Sequence, residues 1–287
     1  MLKIELDTAI SLARKTSVKI LEYYKGTIIR EDKIGVDNYS EPVTAADREA
    51  SRIIVEGLAE AFPDDAILSE EEVDDVRTRL KAERVWIVDP IDGTAGFVKK
   101  DGDFAVQIGL SIGGISTLGV VLLPFHRKLY YAVKGEGCWL VDGTADPVRI
   151  SVSEIDSLPL MTLAVSKNHP GPKMRSVIDG LGFTRIESRG SVGLKVGLIS
   201  ERICDAYIHL SPRTKMWDIC GPQIILEEAG GCLTDLYGNV YDYDRTNVQN
   251  FGGIVASNGA IHEEIIAKLE PRLAEIGRPR FSAEHRG

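Results

Sequence analysis

The positions Leu6, Ala9, Ile10, Ala13, Ile20, Leu21 and Tyr24 recur at steps of three and four, which predicts a helix with one apolar stripe, ended by Gly26. After Glu41-Pro42-Val43-Thr44 the same period runs through Ala46, Ala50, Ile53, Ile54, Gly57, Leu58 and Ala61 until Phe62-Pro63-Asp64 stops it. Asp47 falls in the first turn of this second helix. Ala66-Ile67-Leu68 and Val85-Trp86-Ile87-Val88 are short unbroken apolar runs, as expected of strands buried on both faces, and each runs straight into acidic residues. From Phe104 to Ile150 the segments 105–110, 118–123, 129–133 and 138–141 read as strands separated by Gly113-Gly114, Pro124 and Gly135/Gly137, an antiparallel meander. Beyond it, strand-like segments near 161–165, 185–186, 204–210, 233–236 and 254–256 alternate with helix-like ones near 174–181, 191–199, 219–229 and 261–276. The pattern predicts a layered α/β (α+β) protein: an N-terminal α+β lobe of residues 1–150 and a C-terminal α/β lobe of residues 151–287.

Composition narrows the partners. The chain has 287 residues, 44% hydrophobic and 27% charged, with a formal net charge of −9, and Lys and Arg form no dense basic stripe. A nucleic acid polymer is therefore not expected. Cys138, Cys204, Cys220 and Cys232 show neither a CxxC pair nor His at zinc spacing, so they read as reduced core residues. The start, MLKIELDTAISLARK, interleaves charges with apolar residues, unlike a signal peptide, and the longest apolar stretches fall far short of the roughly 20 residues that cross a bilayer. No membrane association and a cytoplasmic location are expected.

Asp89-Pro90-Ile91-Asp92-Gly93-Thr94 directly follows a predicted buried strand, where Pro in a tight turn would aim both carboxylates at one point. Carboxylates so placed repel one another unless cations neutralise them, and all-oxygen donors suit Mg²⁺ or Mn²⁺. The same motif is also ordinary turn chemistry, so its context matters. Glu70 follows the strand 66–68 and is a candidate ligand, whereas Glu71 and Glu72 read as a solvated acidic run. Pro222 places a helix start in its own neighbourhood, which puts Asp218 at or just before that N-terminus, as a cap, a ligand or both. Backbone N–H groups of Gly93 and Thr94, at another helix start, suit a phosphate oxygen.

Glu70, the run 89–94, Trp217-Asp218 followed by Glu228-Ala229-Gly230-Gly231, and Val43-Thr44-Ala45-Ala46-Asp47 together resemble the inositol monophosphatase superfamily of metal-dependent phosphatases. The resemblance covers nearly the whole chain and implies that superfamily's sugar-phosphatase fold of alternating helix and sheet layers. It implies that Glu70, Asp89 and the Ile91 carbonyl hold one Mg²⁺ while Asp89, Asp92 and Asp218 hold a second, with a third ion or Mn²⁺ as variations. It further implies that Thr94 and Asp47 accept the proton of an attacking water, that lithium inhibits, and that the chain forms a homodimer. Without the resemblance, Thr94 reads as a cap and Asp47 as a favourable first-turn charge.

Substrate choice leans toward the 3'(2'),5'-bisphosphate nucleotidase branch. Ser211-Pro212-Arg213-Thr214-Lys215-Met216-Trp217-Asp218 is similar to the nucleotidase stretch, and Ser211 stands seven positions before Asp218, where inositol phosphatases carry Glu. Gly190-Ser191 with Lys195 resembles the nucleotide-side element, Lys195 being available for a second phosphate, and Ser166-Lys167-Asn168-His169 resembles the loop near the base. Lys215 is the matching cation ahead of Trp-Asp. Ala95 departs from the branch, which carries Lys there. The expected substrate is adenosine 3',5'-bisphosphate; inositol monophosphate, fructose 1,6-bisphosphate, and a metal-binding scaffold without activity are the alternatives.

Overall fold

The computed structural model describes residues 2–34, 40–167, 171–278 and 280. Two helices, α1 (Lys3–Lys25) and α2 (Ala45–Ala61), flank an antiparallel hairpin of β1 (Arg30–Ile34) and β2 (Ser40–Thr44). The pattern of apolar positions left that hairpin unread, because β1 is charged and mostly exposed and β2 is short and interrupted by Pro42, so neither carries an alternation. Next come β3 (Ala66–Ser69), α3 (Val76–Arg79), β4 (Arg84–Asp92), α4 (Thr94–Lys99), β5 (Ala105–Ile112), β6 (Ile115–Leu123), β7 (Lys128–Val133), β8 (Gly137–Asp142) and β9 (Val148–Ile150). Strands β3 to β9 form one sheet in sequence order, parallel between β3 and β4 and antiparallel elsewhere. The expected meander is thus present.

The rest of the chain supplies β10 (Thr162–Ser166), α5 (Pro172–Leu181), β11 (Arg185–Arg189), α6 (Val192–Ser200), β12 (Ala206–His209), α7 (Met216–Glu228), β13 (Cys232–Thr234), β14 (Ile254–Ser257) and α8 (His262–Glu275). Its sheet has the order β11-β10-β12-β14-β13, parallel at β11/β10/β12 and antiparallel around β14.

Helices α1 and α2 bury Ala9, Ala13, Ile54 and Leu58 against Trp86, Val88, Ile108 and Val120 on one face of the first sheet. The other face, with Val85, Ile87, Val121 and Tyr130, shares a core with Leu194 of α6, Ile219 and Ile224 of α7, and Ala164, Tyr207 and Ala256 of the second sheet. Helices α5 and α8 close the far side with Val177, Leu181, Ile265 and Leu269. The result is helix, sheet, helix, sheet, helix, the alternating layers expected.

The middle layer lies close to the first sheet. A Cβ on Gly119 would stand 2.3 Å from the Gly221 carbonyl oxygen, and one on Gly109 would stand 2.7 Å from Cys220 Sγ, so α7 crosses β5 and β6 where side chains are absent. Helix α6 approaches in the same way, with Gly193 against Val121 and Gly197 against Tyr130. All four cysteines are free thiols. Among the described residues no helix is long and apolar enough to cross a membrane.

Candidate metal centre and active site

Strand β4 does not end before the acidic run; it extends through Asp92, and its register against β5 breaks between Asp89 and Asp92. This corrects the tight turn expected after Val88. Pro90 cannot donate a ladder bond, which is why the irregularity falls there. Gly93, at φ 90°, then turns the chain into α4.

Asp218 also sits differently from expectation. Helix α7 starts at Met216, so Asp218 occupies its first turn and Pro222 lies inside the helix. The Lys215 N–H donates to Asp218 Oδ2 at 2.6 Å and the Met216 N–H to the Val248 carbonyl at 2.9 Å, which fixes the start four or more residues ahead of the proline.

These elements bring Asp89, Asp92 and Asp218 together, each with a carboxylate oxygen within 4.8 Å of the others. Asp89 is 1% exposed and Asp92 5%. Burial first, and then the neighbouring carboxylates, push the carboxyls of Asp89 and Asp218 well above their ordinary range. Asp92 is raised less, because Lys195 and the bonds from Ser191 and Gly193 oppose its burial. The bonds that anchor these groups use one oxygen of each: the Ile91 N–H to Asp89 Oδ1 at 3.0 Å, Ser191 Oγ and the Gly193 N–H to Asp92 Oδ2 at 2.5 and 2.9 Å, and the Lys215 N–H to Asp218 Oδ2. Hard oxygen donors, crowded together with two of the three buried, fit a divalent cation such as Mg²⁺ or Mn²⁺.

Glu70 stands beside this cluster and outside its tight grouping. Its N–H donates to the Val88 carbonyl at 3.2 Å, and its carboxylate accepts Lys33 Nζ at 2.9 Å. Lys33 also donates to Glu71 at 2.7 Å, and the Glu71 side chain is only 10% exposed, which corrects its reading as solvated; Glu72 is exposed. The Ile91 carbonyl accepts from Thr94 Oγ1 at 3.0 Å.

Thr94 lies against Asp47, its Oγ1 2.9 Å from Asp47 Oδ1. Thr44 donates to Asp47 Oδ2 through its N–H at 2.7 Å and its hydroxyl at 2.6 Å. Burial raises the Asp47 carboxyl to about 6 despite the bonds from Thr44 and Thr94. A carboxylate so poised is ionised near neutral pH and ready to receive a proton.

Gly93 and Gly190 meet around Asp103, a fully buried residue that no motif or spacing singles out. A Cβ on either glycine would fall within 2.8 Å of the Asp103 carbonyl, and the Gly190 N–H donates to Asp103 Oδ2 at 2.9 Å. Ser191, at φ 52°, caps α6. Lys195 is 2% exposed and donates to the carbonyls of Gly190 and Ser191, with its Nζ 4.6 Å from the Tyr207 ring centre; burial lowers its pKa to about 8. Lys215 pairs with Glu41 of β2 at 2.9 Å. His169 lies outside the described residues. The hairpin residues Lys33 and Glu41 were missed for the reason their strands were.

The family model for the inositol monophosphatase family matches residues 3–274. The chain is 33% identical over 238 residues to the 3'(2'),5'-bisphosphate nucleotidase CysQ of Escherichia coli (strain K12), covering 83% of this chain and 93% of that one. It is 31% identical over 281 residues to the fructose-1,6-bisphosphatase/inositol-1-monophosphatase of Thermotoga maritima, covering 95% and 98%. The solved structure of a Thermotoga maritima IMPase superposes with a TM-score of 0.80 at 30% identity, covering 95% of this chain and 99% of that one. With fold, acidic cluster and sequence in agreement, the chain belongs to the inositol monophosphatase family and is a phosphatase.

Proposed function

We propose that the chain hydrolyses 3'(2'),5'-bisphosphate nucleotides, releasing phosphate from adenosine 3',5'-bisphosphate with Mg²⁺ held by Asp89, Asp92 and Asp218, and with Glu70 and the Ile91 carbonyl completing the ion set. The observation that carries the metal-dependent chemistry is the convergence of the buried Asp89 and Asp92 with the half-buried Asp218, beside the Thr94–Asp47 pair. Divalent cations there offset the carboxylates, draw in an anionic ester and make a nearby water more acidic. Glu70 must exchange Lys33 for the ion.

The remaining steps belong to the protein's own groups. Thr94 Oγ1 carries one proton between two acceptors, Asp47 Oδ1 and the Ile91 carbonyl. When it faces Asp47, its lone pairs are free to accept from water. The water oxygen bonds to phosphorus, the ester P–O bond breaks and its electron pair leaves with the ester oxygen, which takes a proton from solvent water, while the attacking water's proton passes to Thr94 as Thr94 releases its own to Asp47. Gly93 and Thr94 N–H groups at the head of α4 hold a phosphate oxygen. Lys195 sets the Gly190–Ser191 turn beside it, and Lys215, once released from Glu41, answers a second phosphate.

The nucleotide substrate is supported by the CysQ likeness and by Ser211, which leaves no carboxylate there for ring hydroxyls. Phosphate release from adenosine 3',5'-bisphosphate, inositol 1-phosphate and fructose 1,6-bisphosphate at millimolar Mg²⁺ tests the reading. The bisphosphate nucleotide should give the highest kcat/KM. Preference for either sugar phosphate overturns the substrate, in the direction the Thermotoga relative's name points, and silence on all three overturns catalysis in favour of a metal-binding scaffold.

A further inference from the structure

Gln107 is a polar residue in an otherwise buried, largely apolar stretch of β5. It is 0% exposed, and neither its Nε2 nor its Oε1 has a hydrogen-bond partner among the described residues. Leaving a buried amide without partners forfeits its bonds to water with nothing in return, so the position calls for a reason. The register sets Gln107 directly opposite Asp89 of β4 and Val121 of β6, on the face covered by α6 and α7. A Cβ on Gly193 of α6 would lie 3.3 Å from the Gln107 amide carbon and oxygen, and the Gly193 N–H itself donates to Asp92. The free carboxamide therefore lies at the floor of the aspartate cluster, between the strand that carries Asp89 and the helix that anchors Asp92. Opposite residues of an antiparallel pair hold their Cβ atoms about 4.5–5.5 Å apart, within the reach of a glutamine side chain.

We propose that Gln107 is a positioning residue for the metal centre: its Nε2 donates to the Asp89 carboxylate when a divalent cation holds that group, and so sets its orientation. The inference rests on the metal-dependent reading above. Among the described residues Asp89 has one donor, the Ile91 N–H on Oδ1, so the carboxylate has room to accept a second bond. A neutral amide suits the task, since it donates without adding charge to a site whose charge balance is already set. Groups that hold a metal ligand from behind commonly change metal affinity by about 10- to 100-fold when removed.

The test uses the full chain stripped of metal, with Mn²⁺ titrated by calorimetry and electron paramagnetic resonance, in the wild type and in Gln107→Met and Gln107→Leu. Both variants should bind Mn²⁺ about tenfold more weakly or worse, with a changed resonance of the bound ion. Their melting temperatures in EDTA should stay at or above the wild type's, because an unpartnered amide has gone. The Mg²⁺ concentration for half-activation should rise while the rate at saturating Mg²⁺ changes little. Wild-type Mn²⁺ affinity in either variant, or a loss of stability in EDTA that marks the residue as packing alone, overturns the inference. A wild type that binds no Mn²⁺ overturns instead the metal-dependent reading beneath it.

Discussion

Asp47 is 2% exposed at the head of α2, and its carboxyl titrates near 6 rather than at the ordinary 3.8. The folded chain therefore holds this proton more tightly than the unfolded chain does. Its contribution to stability is fully present below about pH 4 and is lost as pH rises through about 6, a change of about 3 kcal/mol for two units. Asp89 and Asp218, also raised, add the same sign. Chemical denaturation of the metal-free chain should show stability falling from pH 4 to 7, with Asp47→Asn flattening the slope. Thr94→Ala should lower kcat by about 10²–10⁴ while leaving Mn²⁺ affinity nearly unchanged; loss of metal with an unchanged rate per loaded site would remove Thr94 from proton transfer. The aspartates were readable because acidic residues abutting a buried strand are anomalous on their face. Their surroundings were not: Lys33, which opposes the rise of Asp89, sits in the hairpin, and Asp103 meets the site only through the Gly190 N–H and the close approach of Gly93.

Among the elements, α1 and α2 could be read almost to the residue, since each buries one stripe and wets the other. Helices α6 and α7 lie between two sheets and are apolar nearly all round, so no stripe marks where they begin. That is why the start of α7 was placed late. Their approach to the first sheet is set by glycines, and Gly119→Ala should cost about 1–3 kcal/mol or more, because the new methyl meets the Gly221 backbone and no flexible side chain can yield. Urea denaturation in EDTA would measure it. An unchanged midpoint would mean that α7 can lift from β6 at little cost.

At the scale of the molecule, the three clustered aspartates come from the end of β4 and from the first turn of α7, which belong to different halves of the chain and meet only through packing. Order along the sequence predicted most of the elements, and the family resemblance implied the alternating layers, but neither showed that the second half would lend two helices to the first half's sheet. Ions that bind only the folded arrangement stabilise it by mass action, about 2.7 kcal/mol at a hundred times the dissociation constant. Mg²⁺ should accordingly raise the melting temperature, and more at pH 8 than at pH 5, where the cluster holds protons. Asp89→Asn should abolish both the rise and turnover; a variant that kept either would detach Asp89 from the centre.

Pro222 has one more effect. Lacking an N–H, it cannot donate to the carbonyl four residues back, and that carbonyl belongs to Asp218. The turn bearing this carboxylate is joined to the rest of the rod by one tie fewer than a regular helix would provide, while the rod itself is pinned between sheets. The turn that carries Asp218 should therefore open more readily than the turns behind it. Amide exchange at Ile219 and Cys220 that outpaces exchange at residues 223–226 would be the sign of that looseness, and equal protection throughout would deny it.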